Sequence, residues 1–240
     1  MEPKERIILA LDVSGHEGAL DIVKQFKDHI DTFKVGSELF TSAGPKIIQD
    51  INAMGKKVFL DLKFHDIPNT VSRSAHAAAE LGVFMFNVHT MGGLEMMKQA
   101  AQGLVKASLK KNIKRPKLLG VTVLTSIDQD ILRDEIGIQH RMATQVKHLA
   151  KLALDAGLDG VVASPQDIEM IRSRCGSGFL IVTPGIRPSW APPDDQKRTM
   201  TPKQAIARGA DYLVIGRSVT AQPSPIKALE LILKEIEKAG

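Results

Sequence analysis

Four charged residues lie within or just after the first three apolar segments of the sequence: Asp12, Lys34, Asp61 and Lys63. Asp61 and Lys63 are two residues apart, so in a β-strand both side chains point to the same face. Carboxylates beside ammonium groups shift one another's proton affinities, and such a cluster can hold a lysine charged as a proton donor. The same residues could instead form a structural salt-bridge network that closes the top of a core. The spacing alone leaves both interpretations open.

A second set of residues is suited to binding a phosphate. Gly216 and Arg217 directly follow the last strand-like segment, where a glycine lets backbone N–H groups approach an anion and a guanidinium adds a forked cation. Pro184, Gly185 and Arg187 follow another such segment and supply a second glycine and a second arginine. One Gly-Arg pair could simply cap a helix. Two such segments, each following a predicted strand, favour a phosphate-binding site.

Three polar residues in predicted loops could contact the rest of a ligand. Thr125 and Ser126 carry hydroxyl groups that can hydrogen-bond the edge of a polar ring, and that can equally N-cap a helix near residues 127–133. Gln196 lies in the proline-rich stretch 183–201, the longest segment without a periodic pattern. Because long loops of this kind often cover or bind ligands, we expect Gln196 to reach over a ligand as part of a lid.

These residues need a scaffold that brings segment ends together. Short apolar, β-branched segments recur about every 25 to 30 residues and alternate with helical periodicity, which is typical of βα units. The predicted strands are 6–12, 32–36, 57–63, 83–89, 117–124, 160–164, 179–183 and 212–216. The main predicted helices are 17–27, 92–111, 141–156, 165–174, 202–208 and 225–238.

Eight βα units without a linker predict the α/β class and a single (β/α)8 TIM barrel that spans residues 1–240 as one catalytic domain. An open doubly wound sheet is the alternative. In a barrel the active site lies at the carboxyl ends of the strands, and the loops after strands seven and eight form the usual phosphate site. The charged cluster and the Gly-Arg pairs would then lie at the same end of the barrel, around one active-site opening.

Composition excludes several classes of protein. The chain has 240 residues, of which 43% are hydrophobic and 25% charged, and this balance excludes disordered and disulfide-stapled proteins. No apolar run approaches the ~20 residues of a membrane-spanning helix, so we expect no membrane partner. Cys175 is the single cysteine and we expect it to be an inert thiol. With no leader pattern at the start, the expected location is cytoplasmic.

The formal charge of +5 comes largely from one basic segment, residues 106–117. Its cations are Lys106, Lys110, Lys111, Lys114, Arg115 and Lys117. A solvated helix end explains them, and a polyanion site is the alternative, although no aromatic residues interleave there for base stacking. We therefore predict no nucleic-acid partner. A nucleic-acid-binding protein that uses this segment is the rival hypothesis from a different class.

The histidines do not predict a metal site. His65, His76 and His89 fall on a predicted loop, a helix and a strand end, without the tight spacing of metal ligands.

At residues 61–71 the sequence Asp-Leu-Lys-Phe-His-Asp-Ile-Pro-Asn-Thr-Val resembles the signature of the orotidine 5'-phosphate decarboxylase family. The similarity extends to the segments around Asp12, Lys34 and Ser126 and to the two Gly-Arg segments, so it covers nearly the whole chain. A bare Asp-x-Lys-x-x-Asp also occurs in the related 3-keto-L-gulonate 6-phosphate decarboxylases. The continuation His-Asp-Ile-Pro-Asn-Thr-Val is not theirs.

This resemblance implies a homodimeric barrel with active sites at the subunit interface, acting on orotidine 5'-phosphate without a cofactor or metal in UMP synthesis. Asp12 and Lys34 would contact the ribose, Asp61 would lie beside the substrate carboxylate, and Lys63 would deliver a proton to C6. Asp66 and Thr70 would reach into the neighbouring subunit's site. Thr125 and Ser126 would contact the pyrimidine. The phosphate would be bound by Arg187, Gln196, Gly216 and Arg217, with Pro184 beside them. A metal-assisted sugar-phosphate decarboxylase of the same superfamily is the alternative.

Overall fold

Eight parallel strands close into a barrel in sequential order, with β1 hydrogen-bonded to both β2 and β8. The structure, a computed structural model, describes residues 1–191 and 199–239. The strands are β1 (Ile7–Ala10), β2 (Thr32–Gly36), β3 (Lys57–Phe64), β4 (Met85–His89), β5 (Lys117–Val121), β6 (Gly160–Val162), β7 (Leu180–Thr183) and β8 (Tyr212–Ile215). The predicted (β/α)8 barrel is confirmed, and the open sheet is excluded.

Helices follow the strands and cover the outside of the barrel. They are α1 (His16–Phe26), α2 (Ser37–Ala43), α3 (Lys46–Ala53), α4 (Pro68–Glu80), α5 (Gly93–Lys111), α6 (Met142–Asp155), α7 (Ile168–Cys175), α8 (Pro202–Ala207), α9 (Arg217–Thr220) and α10 (Pro225–Glu237). Proline occupies the first turn of α4, α8 and α10, where its missing N–H has no partner to lose. At α8 a capping box is complete, because Thr201 and Gln204 each accept the other's backbone N–H at 3.3 Å.

The core has two apolar layers. Side chains inside the barrel form one cluster, made of Ile8, Ala10, Phe59, Met85, Leu119, Val182 and Val214. A larger cluster, which includes Leu9, Phe33, Leu60 and Phe86, fills the space between barrel and helices. The strands are therefore buried on both faces, as is typical of parallel sheets.

Ion pairs at the amino ends of the strands lie opposite the expected site. Asp159, just before β6, accepts the backbone N–H of Leu118 at 2.8 Å and pairs with Arg115 at 2.9 Å. On the neighbouring α5, Lys111 pairs with Glu80 at 3.0 Å. Lys117 also lies 3.8 Å from Asp159, so three cations of the basic segment serve the scaffold, which favours the structural interpretation of that segment over a polyanion site.

In the segment that follows β5, two local predictions differ from the structure. The predicted strand 117–124 ends at Val121, and residues 127–133 do not form the expected helix, since a single π-helical turn spans Ile131–Glu135. Asp128, rather than Thr125 or Ser126, accepts the N–H groups of Asp130 and Ile131, at 3.2 and 3.1 Å.

In the part of the chain that the structure describes, no helix has the length and apolarity to cross a membrane.

Candidate active site

A cavity of about 310 Å³ opens at the carboxyl ends of the strands. Its walls contain eleven of the residues selected from the sequence: Asp12, Lys34, Asp61, Lys63, Thr125, Ser126, Pro184, Gly185, Arg187, Gly216 and Arg217. They come from the ends of β1, β2, β3, β7 and β8 and from the loop after β5. The barrel therefore brings together two charged sets that are about 150 residues apart in sequence, as expected when parallel strands end at the same rim.

The predicted charged cluster is a continuous chain of ion pairs. Lys34 Nζ lies 3.1 Å from Asp12 Oδ1 and 3.5 Å from Asp61 Oδ2, and Lys63 Nζ lies 2.9 Å from Asp61 Oδ1. Asp61 is 9% exposed, while Lys63 is half-buried at the cavity wall. Burial makes each of these charges dependent on its partners, because an unpaired charge there would lose its hydration. The arrangement presents two ammonium groups to the cavity, with the Asp61 carboxylate held between them.

Two arginines from the segments after β7 and β8 also line the cavity. Arg187 lies at the root of the long loop, where its N–H donates to Met200 O at 2.9 Å and Met200 N–H donates to Gly185 O at 3.2 Å. These bonds hold both ends of the loop at the cavity wall. Gly216 is packed closely there, since a Cβ at this position would lie 3.3 Å from Asp12 Oδ2. This wall offers guanidinium groups and glycine backbone to an anion.

Between the charged walls the cavity is apolar. Its lining there comprises Val121, Val123, Leu124, Val162, Ala163, Ile186 and Val214. Thr125 and Ser126 lie at the edge of this surface, half-buried and exposed respectively. A flat ring with polar edges fits such a slot, with apolar faces covered and hydroxyl groups at its rim.

Two predicted site residues do not line the cavity of their own chain, and a third lies outside the described residues. Asp66 is exposed, and its Oδ1 accepts the N–H of Ile67 at 2.6 Å. Thr70 is exposed in the first turn of α4. Neither lines the cavity of its own chain. Gln196 lies outside the described residues, so its predicted contact stays a prediction.

The structure adds residues that the sequence analysis missed. Ser164 and Ser218 line the cavity, and the signal available in the sequence was their position just after β6 and β8. Asn87 is fully buried on β4 and hydrogen-bonds Asp61 and the backbone of Lys63. The sequence feature that could have indicated Asn87 is a single amide side chain within an otherwise apolar predicted strand.

His65 and His89, which appeared scattered in the sequence, are neighbours. Their ring centroids are 5.5 Å apart, at the ends of the adjacent strands β3 and β4. Burial lowers the pKa of His89 below its usual 6.5, and the positive charges of His65 and Lys63 lower it further, while Asp61 acts in the opposite direction.

Metal ligation and thiol chemistry find little support in the geometry. Among residues 1–191 and 199–239, no three or more His, Cys, Asp or Glu side chains are grouped so that they could hold a metal ion. Burial raises the pKa of the half-buried Cys175 thiol, which favours the less reactive protonated form.

A closed (β/α)8 barrel with a charged cavity at the carboxyl ends of its strands has the architecture of the barrel enzymes. Residues 5–232 match the profile of the Orotidine 5'-phosphate decarboxylase / HUMPS family, and the chain belongs to this family.

Two relatives named orotidine 5'-phosphate decarboxylase align over nearly their full length. The one from Syntrophomonas wolfei is 49% identical and the alignment covers 99% of this chain and 100% of the relative. The one from Trichlorobacter lovleyi is 52% identical, with 98% and 96% covered. The crystal structure of the Lactobacillus acidophilus orotidine 5'-phosphate decarboxylase superposes with a TM-score of 0.86 at 41% identity, covering 97% of this chain and 99% of the other.

Proposed function

We propose that this chain converts orotidine 5'-phosphate to UMP and CO2 in pyrimidine synthesis, as a lyase that needs no cofactor or metal, with Lys63 as the proton donor. The observation that carries the proposal is the chain of ion pairs from Asp12 through Lys34 and Asp61 to Lys63, which faces a cavity with an apolar slot and an arginine-bearing wall. Family membership and the names of the relatives support the substrate.

The chemistry explains why such a cluster is needed. Breaking the bond between C6 and the carboxylate releases CO2 and leaves an electron pair in the plane of the ring, where the ring carbonyls cannot take it up. Lys63 would stabilise that charge electrostatically and then give a proton from Nζ to C6, after which water reprotonates the amine. Because Asp61 holds the ammonium group at 2.9 Å before the reaction, little reorganisation is required.

Substrate binding would use the remainder of the cavity. Asp12 and Lys34 would contact the ribose, Thr125 and Ser126 the pyrimidine edge, and Arg187 and Arg217, with Gly216 and Pro184 beside them, the phosphate. The two arginines follow β7 and β8 whereas Lys63 is on β3, so phosphate binding would align the ring through groups other than the one that acts at the reacting carbon. Such remote binding energy raises turnover as well as affinity.

We further propose a cytoplasmic homodimer in which residues 1–240 form one catalytic domain and the two subunits share their active sites. Asp66 and Thr70 are exposed and outside the cavity of their own chain, and Ile67 between them is 66% exposed. An exposed isoleucine flanked by two polar residues at the rim of the barrel suits an interface. From there Asp66 and Thr70 would enter the partner's site.

The test is to follow the absorbance of orotidine 5'-phosphate with the purified wild-type chain, with and without EDTA. We expect turnover that the chelator does not change. Turnover that EDTA abolishes would support a metal-assisted decarboxylase instead, and no turnover on this nucleotide would reject the proposal.

The role of Lys63 is tested by Lys63→Ala. We expect UMP to bind, as measured by calorimetry, while turnover falls by several orders of magnitude because both charge stabilisation and the proton are lost. Lys57→Ala, at the opposite end of β3, is the matched control and should keep turnover close to wild type. Substantial turnover in Lys63→Ala would contradict the assignment.

A further inference from the structure

We infer that Asn87 is a positioning residue that fixes Lys63 and Asp61 in their reactive arrangement, an inference that rests on the proposed role of Lys63. Asn87 lies on β4, does not line the cavity and is fully buried. Its effect on the reaction would therefore act through the two residues that it contacts.

The need for such a residue arises from an irregularity between β3 and β4. Leu60 pairs with Phe86 and Phe64 pairs with Val88, so three residues of β3 face the single residue Asn87. The three are Asp61, Leu62 and Lys63. A bulge of this kind interrupts the regular ladder and redirects side chains, and bulges occur often beside active sites.

Within the bulge Lys63 has φ of 52°, in the left-handed region that non-glycine residues seldom adopt. This conformation costs free energy and persists only where the surroundings hold it. The main chain at Lys63 therefore needs a specific partner, since its regular strand partner has been displaced.

Asn87 supplies that partner. Its Oδ1 accepts the backbone N–H of Lys63 at 2.8 Å, and its Nδ2 donates to Asp61 Oδ1 at 2.7 Å. The same Asp61 oxygen lies 2.9 Å from Lys63 Nζ. One planar amide thus holds the backbone of Lys63 and the carboxylate that orients its ammonium group.

Position 87 requires a short, uncharged side chain that has one hydrogen-bond donor and one hydrogen-bond acceptor. Alanine leaves the Lys63 N–H and an Asp61 lone pair without their partner in a buried place. An ionised carboxylate could accept from Lys63 but would repel Asp61. A protonated carboxyl group, however, has the donor and the acceptor of the amide, so Asn87→Asp should function only when the new carboxyl carries a proton.

The charged and titratable groups around this position are few. Asp61 and Lys63 lie on β3, Lys34 lies on β2 and contacts Asp61 Oδ2, and His89 lies two residues further along β4 near Lys63 and Asp61. On β5 the residue paired with Asn87 is Leu119, which is apolar. Among the described residues, His65 is a further titratable group near this position, in ring contact with His89.

The experiment compares Asn87→Ala and Asn87→Asp with wild type across pH, with kcat, KM and the UMP Kd measured separately. We expect kcat of Asn87→Ala to fall about 100-fold or more, as for a misplaced catalytic group, while KM and the UMP Kd stay within about threefold. The ratio of Asn87→Asp to wild-type kcat should rise as pH falls, and the corresponding ratio for Asn87→Ala should stay flat. A merely structural role would not produce that difference.

Thr90→Val is the matched control, because Thr90 is also fully buried after β4 and donates one hydrogen bond, to Val121 O at 2.7 Å, away from Lys63. It should lose stability with kcat near wild type. Asn87 variants with kcat no lower than the control, or a flat ratio for Asn87→Asp, would overturn the inference.

A readout independent of turnover separates this inference from the proposed function. In a crystal structure of Asn87→Ala, or of Asn87→Asp at high pH if the alanine variant does not fold, we expect Lys63 to leave the left-handed region or its Nζ to move away from Asp61. An unchanged Lys63 would reject the inference even if the wild-type chain proved inactive on orotidine 5'-phosphate.

Discussion

Lys63 has two features that each cost free energy without support from neighbours: a half-buried ammonium group at the wall of a cavity and a left-handed backbone conformation. Asp61, on the same strand β3, supports the charge, and Asn87, on the adjacent strand β4, supports the main chain. The sequence predicted the charged partners, since a spacing of two residues on a strand is visible without a structure. It did not predict the support from Asn87, because the bulge that creates the need depends on how β3 pairs with β4.

His89 gives a residue-scale prediction about pH. Its folded-state pKa is lowered, chiefly by burial, so below about pH 6.5 the unfolded chain takes up a proton that the folded chain resists. This contribution to stability is therefore complete above pH 6.5 and is lost as pH falls toward the folded-state pKa. We expect His89→Gln to lose less Tm than wild type between pH 7.5 and 5.5, as measured by scanning calorimetry.

The control for this prediction is His140→Gln, which replaces an exposed histidine on another loop and should follow the wild-type curve. Parallel curves for wild type and His89→Gln would show that His89 does not account for the pH dependence.

At the scale of elements, the apolar segments predicted all eight strands, and the ends were set by how far neighbouring strands remain paired. The predicted strand 6–12 is observed as the shorter strand Ile7–Ala10, and the predicted strand 117–124 ends at Val121. The residues beyond the ladder turn into the loops that line the cavity. Strand ends were hard to predict because the apolar pattern continues into the cavity wall, as Val123 and Leu124 show.

Gly160 on β6 provides a prediction at this scale. A Cβ there would lie 2.2 Å from Leu180 O on β7, a backbone atom that cannot move away without disturbing the barrel. Gly160→Ala should lower the free energy of unfolding by roughly 1–3 kcal/mol, the usual cost of overpacking, as measured by urea denaturation. Gly178→Ala, with no heavy atom within 4 Å of its new Cβ, should change it by less than about 0.5 kcal/mol. Equal losses in the two variants would argue against a steric cause.

For the molecule as a whole, the sequence predicted the barrel and eleven of the cavity residues, because eight βα units determine where strand ends meet. It could not predict that the rings of His65 and His89 are neighbours, because these two residues are 24 positions apart in the sequence and the pairing of β3 with β4 brings them together. Asp66 and Thr70 remain exposed, and their proposed role requires a second subunit.

Hybrid dimers test that role. If the sites are shared, Lys63→Ala and Asp66→Ala chains should each be inactive alone, and mixing them should restore activity, because half of the sites in a hybrid dimer combine an intact Lys63 with an intact Asp66. Restoration should reach about a quarter of the wild-type rate if subunits exchange at random. Mixed chains that form dimers, as shown by light scattering, without regaining activity would contradict sharing.

The closed strand order has a further consequence for how copies of this chain can meet. Each of the eight strands of the described chain already has two hydrogen-bonded neighbours, so none of them offers a row of free amide and carbonyl groups to an incoming peptide. Association must therefore proceed through side chains on loops and helices. Concentrated solutions should remain free of fibrous aggregates as long as the barrel stays shut, and any such aggregate would signal that it had first opened.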